Sequence, residues 1–542
     1  MNRFLLFVEK VCACAALSAA TLFAAEETVA SDRPASVDPA GLARHVSALA
    51  RTPRGVCSIL GCRDGAFADA MTGADDFVVH GIDPSADAVA AARTYVDRKG
   101  LYGKRVVIER GSLQQLPYAD NSIDLVVSPH LSEEALESLS AREILRVLRP
   151  EGRAVLGREA HAASGNGLAA DRLAEWLKIH KIEDAEVIAD AVGVWAVVTK
   201  PVPEGIDAWS HWEHLPDNNP VSNDAVVRAP YMTQFLGEPY YIAMPAVTTA
   251  AGGRIFIAMG HIAHHRREEP WLNTLLARNG YNGTALWMRK LPNGYLAHRS
   301  AFVATKDTFY MIDPGEPGCI LLDPATGEQT GRIEVKGAEG QWKWIALQDG
   351  ILYALSGTEK DPTETTVVRS KLTHWSWGEL SKGYYGKRVP WGFGDLVVAY
   401  DLEQGKTLWT HREPRPIDSR AMTLGGGRMY VYGPDSHFRC LDALSGDVLW
   451  TNDDDEPRKL LEEPGRGLTS TPGFRTMCFA LYTPQALCYE AQTRMNVLAL
   501  DPDDGKLLWH REKTSNNPNM LYVDGKLLVG VGPEGRTLAV EP

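Results

Sequence analysis

Two groups of histidines have side chains suited to chemistry. His211 and His214 form an H-x-x-H, and His261, His264 and His265 stand beside Glu268 and Glu269, all types that ligate Zn²⁺ or Cu²⁺. Neither group has helical spacing or a third ligand at a fixed offset, so both are read as loop histidines and no metal is assigned. Of eight cysteines, Cys12 and Cys14 lie in an N-terminal apolar stretch. The other six, Cys57, Cys62, Cys319, Cys440, Cys478 and Cys488, include neither C-x-x-C nor C-x-x-C-H, which excludes metal and c-type haem sites of the cysteine kind. Cys478 and Cys488 stand symmetrically about Thr483 and Pro484, so a hairpin there could bring them together; separate buried thiols are the alternative.

The elements that carry these residues belong to a chain of 542 residues, long enough for several domains. Lys and Arg number 56 against 69 Asp and Glu, a net charge of −13 with no basic block, which argues against a nucleic-acid partner. With 44% hydrophobic and 23% charged residues, the composition is that of a folded globular protein. The one long apolar stretch is N-terminal: Arg3, an apolar segment over 11–23, then Ala24 and Ala25 before Glu26-Glu27-Thr28. This reads as a signal peptide over 1–25. It predicts an exported protein, periplasmic or extracellular, with no membrane span after signal removal.

From 55 to 200, short apolar runs (56–60, 77–83, 106–111, 123–129 and 152–158) alternate with helical segments, which predicts a doubly wound α/β domain over 38–201. The last two runs, 186–191 and 194–200, are separated only by Val192 and Gly193. That is hairpin spacing, so an antiparallel strand is expected to close the sheet edge. Four stretches, SILGCRDGAFADAM (58–71), VVHGIDPSADAVAAAR (78–93), GSLQQLPYADNSIDLVVS (111–128) and REILRVLRPEGRAVL (142–156), resemble in order the motifs of class I S-adenosylmethionine-dependent methyltransferases.

The resemblance implies a Rossmann-like fold and a cofactor site. Gly61 and Gly65 would form the turn that lets backbone approach the methionine end, Asp83 would accept the ribose hydroxyls, and Ser112 stands where the family contacts the adenine amino group. Three positions depart from the family pattern: Ile59 replaces an acidic residue, Arg63 the middle glycine, and Ser112 an aspartate. They imply that S-adenosylmethionine binding is weak or lost. Export adds a second objection, because that donor is made in the cytosol. No catalytic residue is assigned; His130, after the fourth run, is read as a surface loop histidine.

Lys200-Pro-Val-Pro-Glu-Gly205 ends this domain, and repeats follow. AYDLEQGKTLW (399–409), CLDALSGDVLW (440–450), ALDPDDGKLLW (499–509) and the weaker LLDPATGEQTG (321–331) share D-x-x-x-G, a strand-turn-strand signal, and three of them end on Trp. Half-repeats such as DGILYALSG (349–357) and GGRMYVYGP (426–434) lie between them. The unit resembles the tryptophan-containing repeat of pyrroloquinoline-quinone-type, quinoprotein alcohol dehydrogenase-like β-propellers, and WSHWEHLPDNNPVSND (209–224) resembles their lead-in. Trp409, Trp450 and Trp509 are then expected to pack between blades. Pyrroloquinoline quinone itself is not expected, because the Cys-Cys pair of those enzymes is missing and no Ca²⁺ ligands are assignable. Outer-membrane assembly scaffolds carry the same repeat, so a protein or polymer ligand on the propeller is the expected partner.

The expected organisation is a linker and lead-in over 202–245 and a propeller over 246–542, with about five blades and a partial sixth that stops at RTLAVEP (536–542). Either a strand near 225–241 supplies its missing outer strand, or later blades of a longer chain do; the second is the expectation. An aromatic insertion, HWSWGELSKGYYGKRVPWGF (374–393), is expected to pack on the propeller face as a lid or against the first domain; a binding surface for carbohydrate or peptide is the alternative. The functional reading is an exported binding platform with an eroded methyl-donor site. An active S-adenosylmethionine-dependent methyltransferase is the alternative, and a quinone-dependent oxidoreductase the third.

Overall fold

A computed structural model describes residues 38–160, 168–240, 243–263, 265–292, 295, 300–357, 367–368, 392–461, 478–491, 496–512, 514, 520–530 and 538–542. The stretch 1–25 read as an export signal and nearly all of the aromatic stretch 374–393 lie outside these.

The N-terminal domain runs α1 (Pro39–Ala50), β1 (Arg54–Leu60), α2 (Ala66–Ala74), β2 (Asp76–Asp83), α3 (Ala86–Arg98), β3 (Val106–Arg110), β4 (Ile123–Ser128), α4 (Glu133–Ser138), α5 (Ala141–Val147), β5 (Leu148–Glu159), α6 (Ala170–Ile179), β6 (Ala185–Ala189) and β7 (Gly193–Thr199). Its sheet is ordered β3-β2-β1-β4-β5-β7-β6. Central strands are buried along their length because helices cover both faces: in β4, Leu125 and Val127 enter one core and Val126 the other. Helix α3 starts where Ser85 Oγ accepts the Ala88 N–H, and it buries Val89, Ala92 and Val96 on one stripe. The expected antiparallel strand exists but does not form the edge. β7 slots between β5 and β6, antiparallel to both. Packing explains the order: Trp195, Ala196 and Val198 of β7 are buried, whereas β6 is half-exposed and suits the rim.

Among the described residues the C-terminal region forms six sheets, antiparallel except where Val367–Val368 runs parallel to Arg254–Ala263, the propeller architecture. The first contains Met244–Ala251, Arg254–Ala263, Thr274–Asn279 and Ala285–Lys290, joined by the short Val367–Val368. The second runs from Phe302–Ala304 to Gln329–Ile333, the third from Gln341–Gln348 to Lys406–Asp418, the fourth from Thr423–Gly425 to Val448–Asn452, and the fifth from Cys478–Tyr482 to Leu507–Arg511. The sixth has Met520–Val523, Lys526–Val529 and Leu538–Val540. The D-x-x-x-G turns behave as their letters require. Asp442 Oδ1 accepts the N–H groups of Leu444 (2.9 Å) and Ser445 (2.8 Å), and Gly446 takes φ 77°. A Cβ on Gly446 would lie 2.6 Å from the Trp409 ring, and Trp409 Nε1 donates to Ala443 O (3.0 Å). Trp450 meets Gly505 and Pro502 O in the same way, and Trp287 meets Gly327 and Pro324 O. Each tryptophan therefore seats on the next sheet's turn.

The lead-in is a hub. Trp209 exchanges backbone bonds with Ala250 of the first inner strand, Ser210 O accepts Ala304 N–H of the second (2.9 Å), and His211 Nε2 accepts Leu347 N–H of the third (2.9 Å). Pro216 O accepts Leu424 N–H of the fourth (2.9 Å) and Asp217 O accepts Tyr482 N–H of the fifth (3.0 Å). Asn218 Nδ2 donates to Met422 O and Ala480 O, and Asn219 brackets Tyr522 of the sixth through both its backbone N–H and its carbonyl. Trp212 packs on the core of the first three sheets and also on that of the fifth and sixth. Residues 225–240 carry no strand, so no strand from that stretch completes the sixth sheet; Asn219 holds its inner edge. The hairpin that relates Cys478 to Cys488 forms, but its register sets Cys478 opposite Ala491 and Cys488 opposite Leu481, which keeps the pair apart.

The two domains meet on Asp124, 1% exposed. Its carboxylate accepts Val56 N–H (2.8 Å) and Arg149 Nε (2.5 Å) from its own domain, and Asn279 Nδ2 (2.7 Å) and Asn282 Nδ2 (2.6 Å) from the first sheet's edge. Gly55 makes room: with φ 128°, a Cβ there would fall 2.1 Å from Asp124 Oδ2. Lys306 adds an ion pair to Glu151 (2.6 Å).

Candidate functional site

The predicted cofactor residues gather at the carboxyl ends of β1, β2 and β3, the edge at which open α/β sheets hold ligands and the opposite end from the Asp124 junction. Gly61 leaves β1 with φ 83°, and a Cβ there would meet nothing within 4 Å, so bare backbone faces open space. Gly65, φ 85°, opens α2; a Cβ there would lie 3.0 Å from the Ala92 backbone, so only glycine lets the turn rest on α3. Asp83, 7% exposed, accepts Ser85 N–H on Oδ1 (2.9 Å) and Arg63 N–H on Oδ2 (3.2 Å), which ties the turn to the start of α3. Each oxygen keeps acceptor capacity for a hydroxyl. Ser112 follows β3 and is exposed; its Oγ accepts Gln114 N–H (3.1 Å) within its own turn.

The departures have structural consequences. Ile59 is buried in the same core as Leu125 and Val127. Arg63 takes the left-handed backbone, φ 47°, of the glycine it replaces, and its half-exposed guanidinium comes 3.9 Å from Glu159 Oε1. Glu159 ends β5 and is buried, and its Oε2 lies 2.7 Å from His130 Nδ1. His130 is not the surface histidine expected. It is 16% exposed, edge-on to Phe67 at 6.1 Å, because the chain after β4 folds back and Leu131 N–H bonds to Gly157 O. Glu159 went unread in the sequence; its signal is an acid closing an apolar strand at this edge. Burial pushes the neighbouring Cys62 thiol up to about 12, which leaves it protonated and unreactive.

Four histidines, His211, His214, His411 and His437, make structural hydrogen bonds. His214 Nε2 pairs with Asp207 (2.7 Å), away from the bonds made by His211, so the H-x-x-H does not converge. Among the described residues, no group of three or more His, Cys, Asp or Glu is placed to hold a metal; His264 lies outside them. A buried ionic centre joins the third and fourth sheets: Glu413 receives His411 Nε2 (3.1 Å), His437 Nε2 (2.9 Å) and Arg439 Nη1 (2.6 Å).

Residues 59–156 match the family model described as "Methyltransferase domain", and 348–540 match the one described as "Outer membrane protein assembly factor BamB". The chain joins a methyltransferase-like domain to a propeller of BamB-like repeats. Among similar proteins, the 27-O-demethylrifamycin SV methyltransferase of Amycolatopsis mediterranei is 38% identical over 122 residues, covering 21% of this chain and 41% of that protein. Lupanine 17-hydroxylase [cytochrome c] of Pseudomonas is 25% identical over 214 residues, covering 33% of this chain and 30% of that one. The chain thus spans less than half the length of either relative. Solved structures that resemble it include a putative S-adenosylmethionine-dependent methyltransferase from Methanococcus maripaludis (21% identity, TM-score 0.27, 31% of this chain and 87% of that one). BamB from Moraxella catarrhalis is another (12% identity, TM-score 0.34, 55% and 69%).

Proposed function

We propose that this is an exported platform protein: its methyltransferase-like domain has lost productive S-adenosylmethionine binding, and its propeller engages a protein or polymer in the periplasm or outside the cell. The observation that carries the reading is the Arg63 guanidinium reaching toward Glu159, at the strand edge where the resemblance puts the methionine moiety. There a bulky guanidinium stands where the family has the clearance of a glycine, while Asp83 alone remains to grip the ribose. The hub supports a non-redox propeller, because the lead-in fills bonding positions on all six inner strands.

Calorimetric titration of the full chain with S-adenosylmethionine tests the proposal. Weak or absent binding is expected, Arg63→Gly should strengthen it, and Asp83→Ala in that background should remove it again. Micromolar binding by the native protein, abolished by Asp83→Ala and accompanied by methyl transfer, would establish the second reading, an active methyltransferase. That reading is favoured by the His130 and Glu159 pair, a base placed to take a proton from an acceptor. Titration with pyrroloquinoline quinone and Ca²⁺ tests the oxidoreductase reading, for which no binding is expected.

A further inference from the structure

The linker, the N-terminal domain and the first propeller sheet enclose a cleft of about 470 Å³. Much of its wall is apolar, from Val202 and Ile206 of the linker and Ala251 and Ile255 of the sheet. That size, setting and lining are those of small-molecule sites, which favour domain junctions and carry few polar groups.

Two of its polar groups are donors with capacity to spare. Among the described residues, no carboxylate stands within ion-pair distance of Arg254, whose Nη1 makes only long bonds to Gly252 O (3.3 Å) and Lys306 O (3.4 Å). Burial lowers the pKa of this guanidinium, with Arg149 adding to the effect, by more than the charges of Glu151, Asp323 and Asp307 nearby raise it, so the cation is short of solvent. The Tyr281 hydroxyl has no hydrogen bond among the described residues, and its ring lies against Gly253, where a Cβ would be 2.7 Å from it. The carboxylates of the lining are already engaged. Glu151 holds Lys306 (2.6 Å), and Asp207 accepts from His214, Ser222 and Asn223.

We propose that this cleft binds a small amphipathic monocarboxylate, its carboxylate against Arg254 and the Tyr281 hydroxyl and its apolar body along the linker wall. A guanidinium gives two parallel charge-assisted bonds to a carboxylate, and a phenol adds a third. Dications are repelled by the guanidinium, and neutral acceptors gain weaker bonds than a carboxylate does. The site lies at the opposite end of the strands from Asp83, so it does not rest on the state of the methyl-donor edge.

The test uses the full chain and two probes matched in shape, octanoate and octanamide, followed by calorimetry and ligand-observed NMR. Octanoate is expected to bind at least about tenfold more tightly than the amide. Arg254→Gln should erase that preference, Tyr281→Phe should reduce it, and Ile206→Trp, which fills the cleft from the linker, should abolish binding of both. Equal binding of acid and amide, a preference that survives Arg254→Gln, binding that survives Ile206→Trp, or no binding at millimolar concentrations would each overturn the proposal.

Discussion

Glu413 shows how a carboxylate is kept charged inside the propeller. Burial pushes its pKa up, but hydrogen bonds from His411 and His437 and the charge of Arg439 more than reverse this, down to about 2. A glutamate in the unfolded chain titrates near about 4.3, so the stability Glu413 contributes is complete above that value and lost as pH falls toward about 2. Glu413→Gln should flatten this acid limb in thermal unfolding curves. Glu413→Ala should cost about 3 kcal/mol in urea titrations, because Arg439 is left without its counter-charge and His437 without its hydrogen-bond partner. Nothing local in the sequence marks this residue, since two of its partners stand 24 and 26 positions away on another sheet. Gly61 and Asp83 were legible because a glycine turn and a strand-terminal acid are local patterns. The direction of the Arg63 side chain was not, because it depends on Glu159, which becomes a neighbour only when β1 and β5 share a sheet.

At the scale of elements, the segment 209–219 does what no blade does for itself. Asn218→Ala would strand the carbonyls of Met422 and Ala480, and Asn219→Ala the backbone N–H and carbonyl of Tyr522, at about 1 to 3 kcal/mol for each group left unpaired. Hydrogen exchange should show the Tyr522 amide losing protection in Asn219→Ala while Ala250 keeps its own. The hub also has an acid dependence. Burial lowers the pKa of His211 to about 3, and its neutral Nε2 must accept the Leu347 N–H. A free histidine titrates near about 6.5, so as pH drops below that value the unfolded chain takes up a proton the native one refuses, and stability declines until about pH 3. The D-x-x-x-G turns and their tryptophans were legible because each is one short pattern. The hub was not, because its partners lie up to 303 residues away. The place of β7 was missed for a related reason: hairpin spacing fixes which strands pair but not which of the two faces the rest of the sheet.

At the scale of the whole molecule, Asp124 is the buried centre of the contacts between the two domains, flanked by the Lys306–Glu151 pair and by bonds from Arg54 to Leu286 O and from Asn282 to Ser122 O. Asp124→Ala removes the acceptor for Asn279, Asn282 and Arg149 together, so the two domains should unfold in separate transitions and the linker over 201–206 should become open to proteolysis. A single unchanged transition in differential scanning calorimetry would show that the junction is held by other contacts. Export is tested at this scale too: protein recovered from its source should begin between 26 and 31, next to Ala25. The hub bears on how such a body is made. Residues 209–219 precede every strand they hold, so the spindle leaves the ribosome first, and each sheet on completion finds the partner for its inner edge already present. A rearranged gene that moved 207–224 behind the last sheet would keep every contact of the finished protein. During synthesis, however, it would leave a growing row of unpaired inner strands, open to pairing with neighbouring chains.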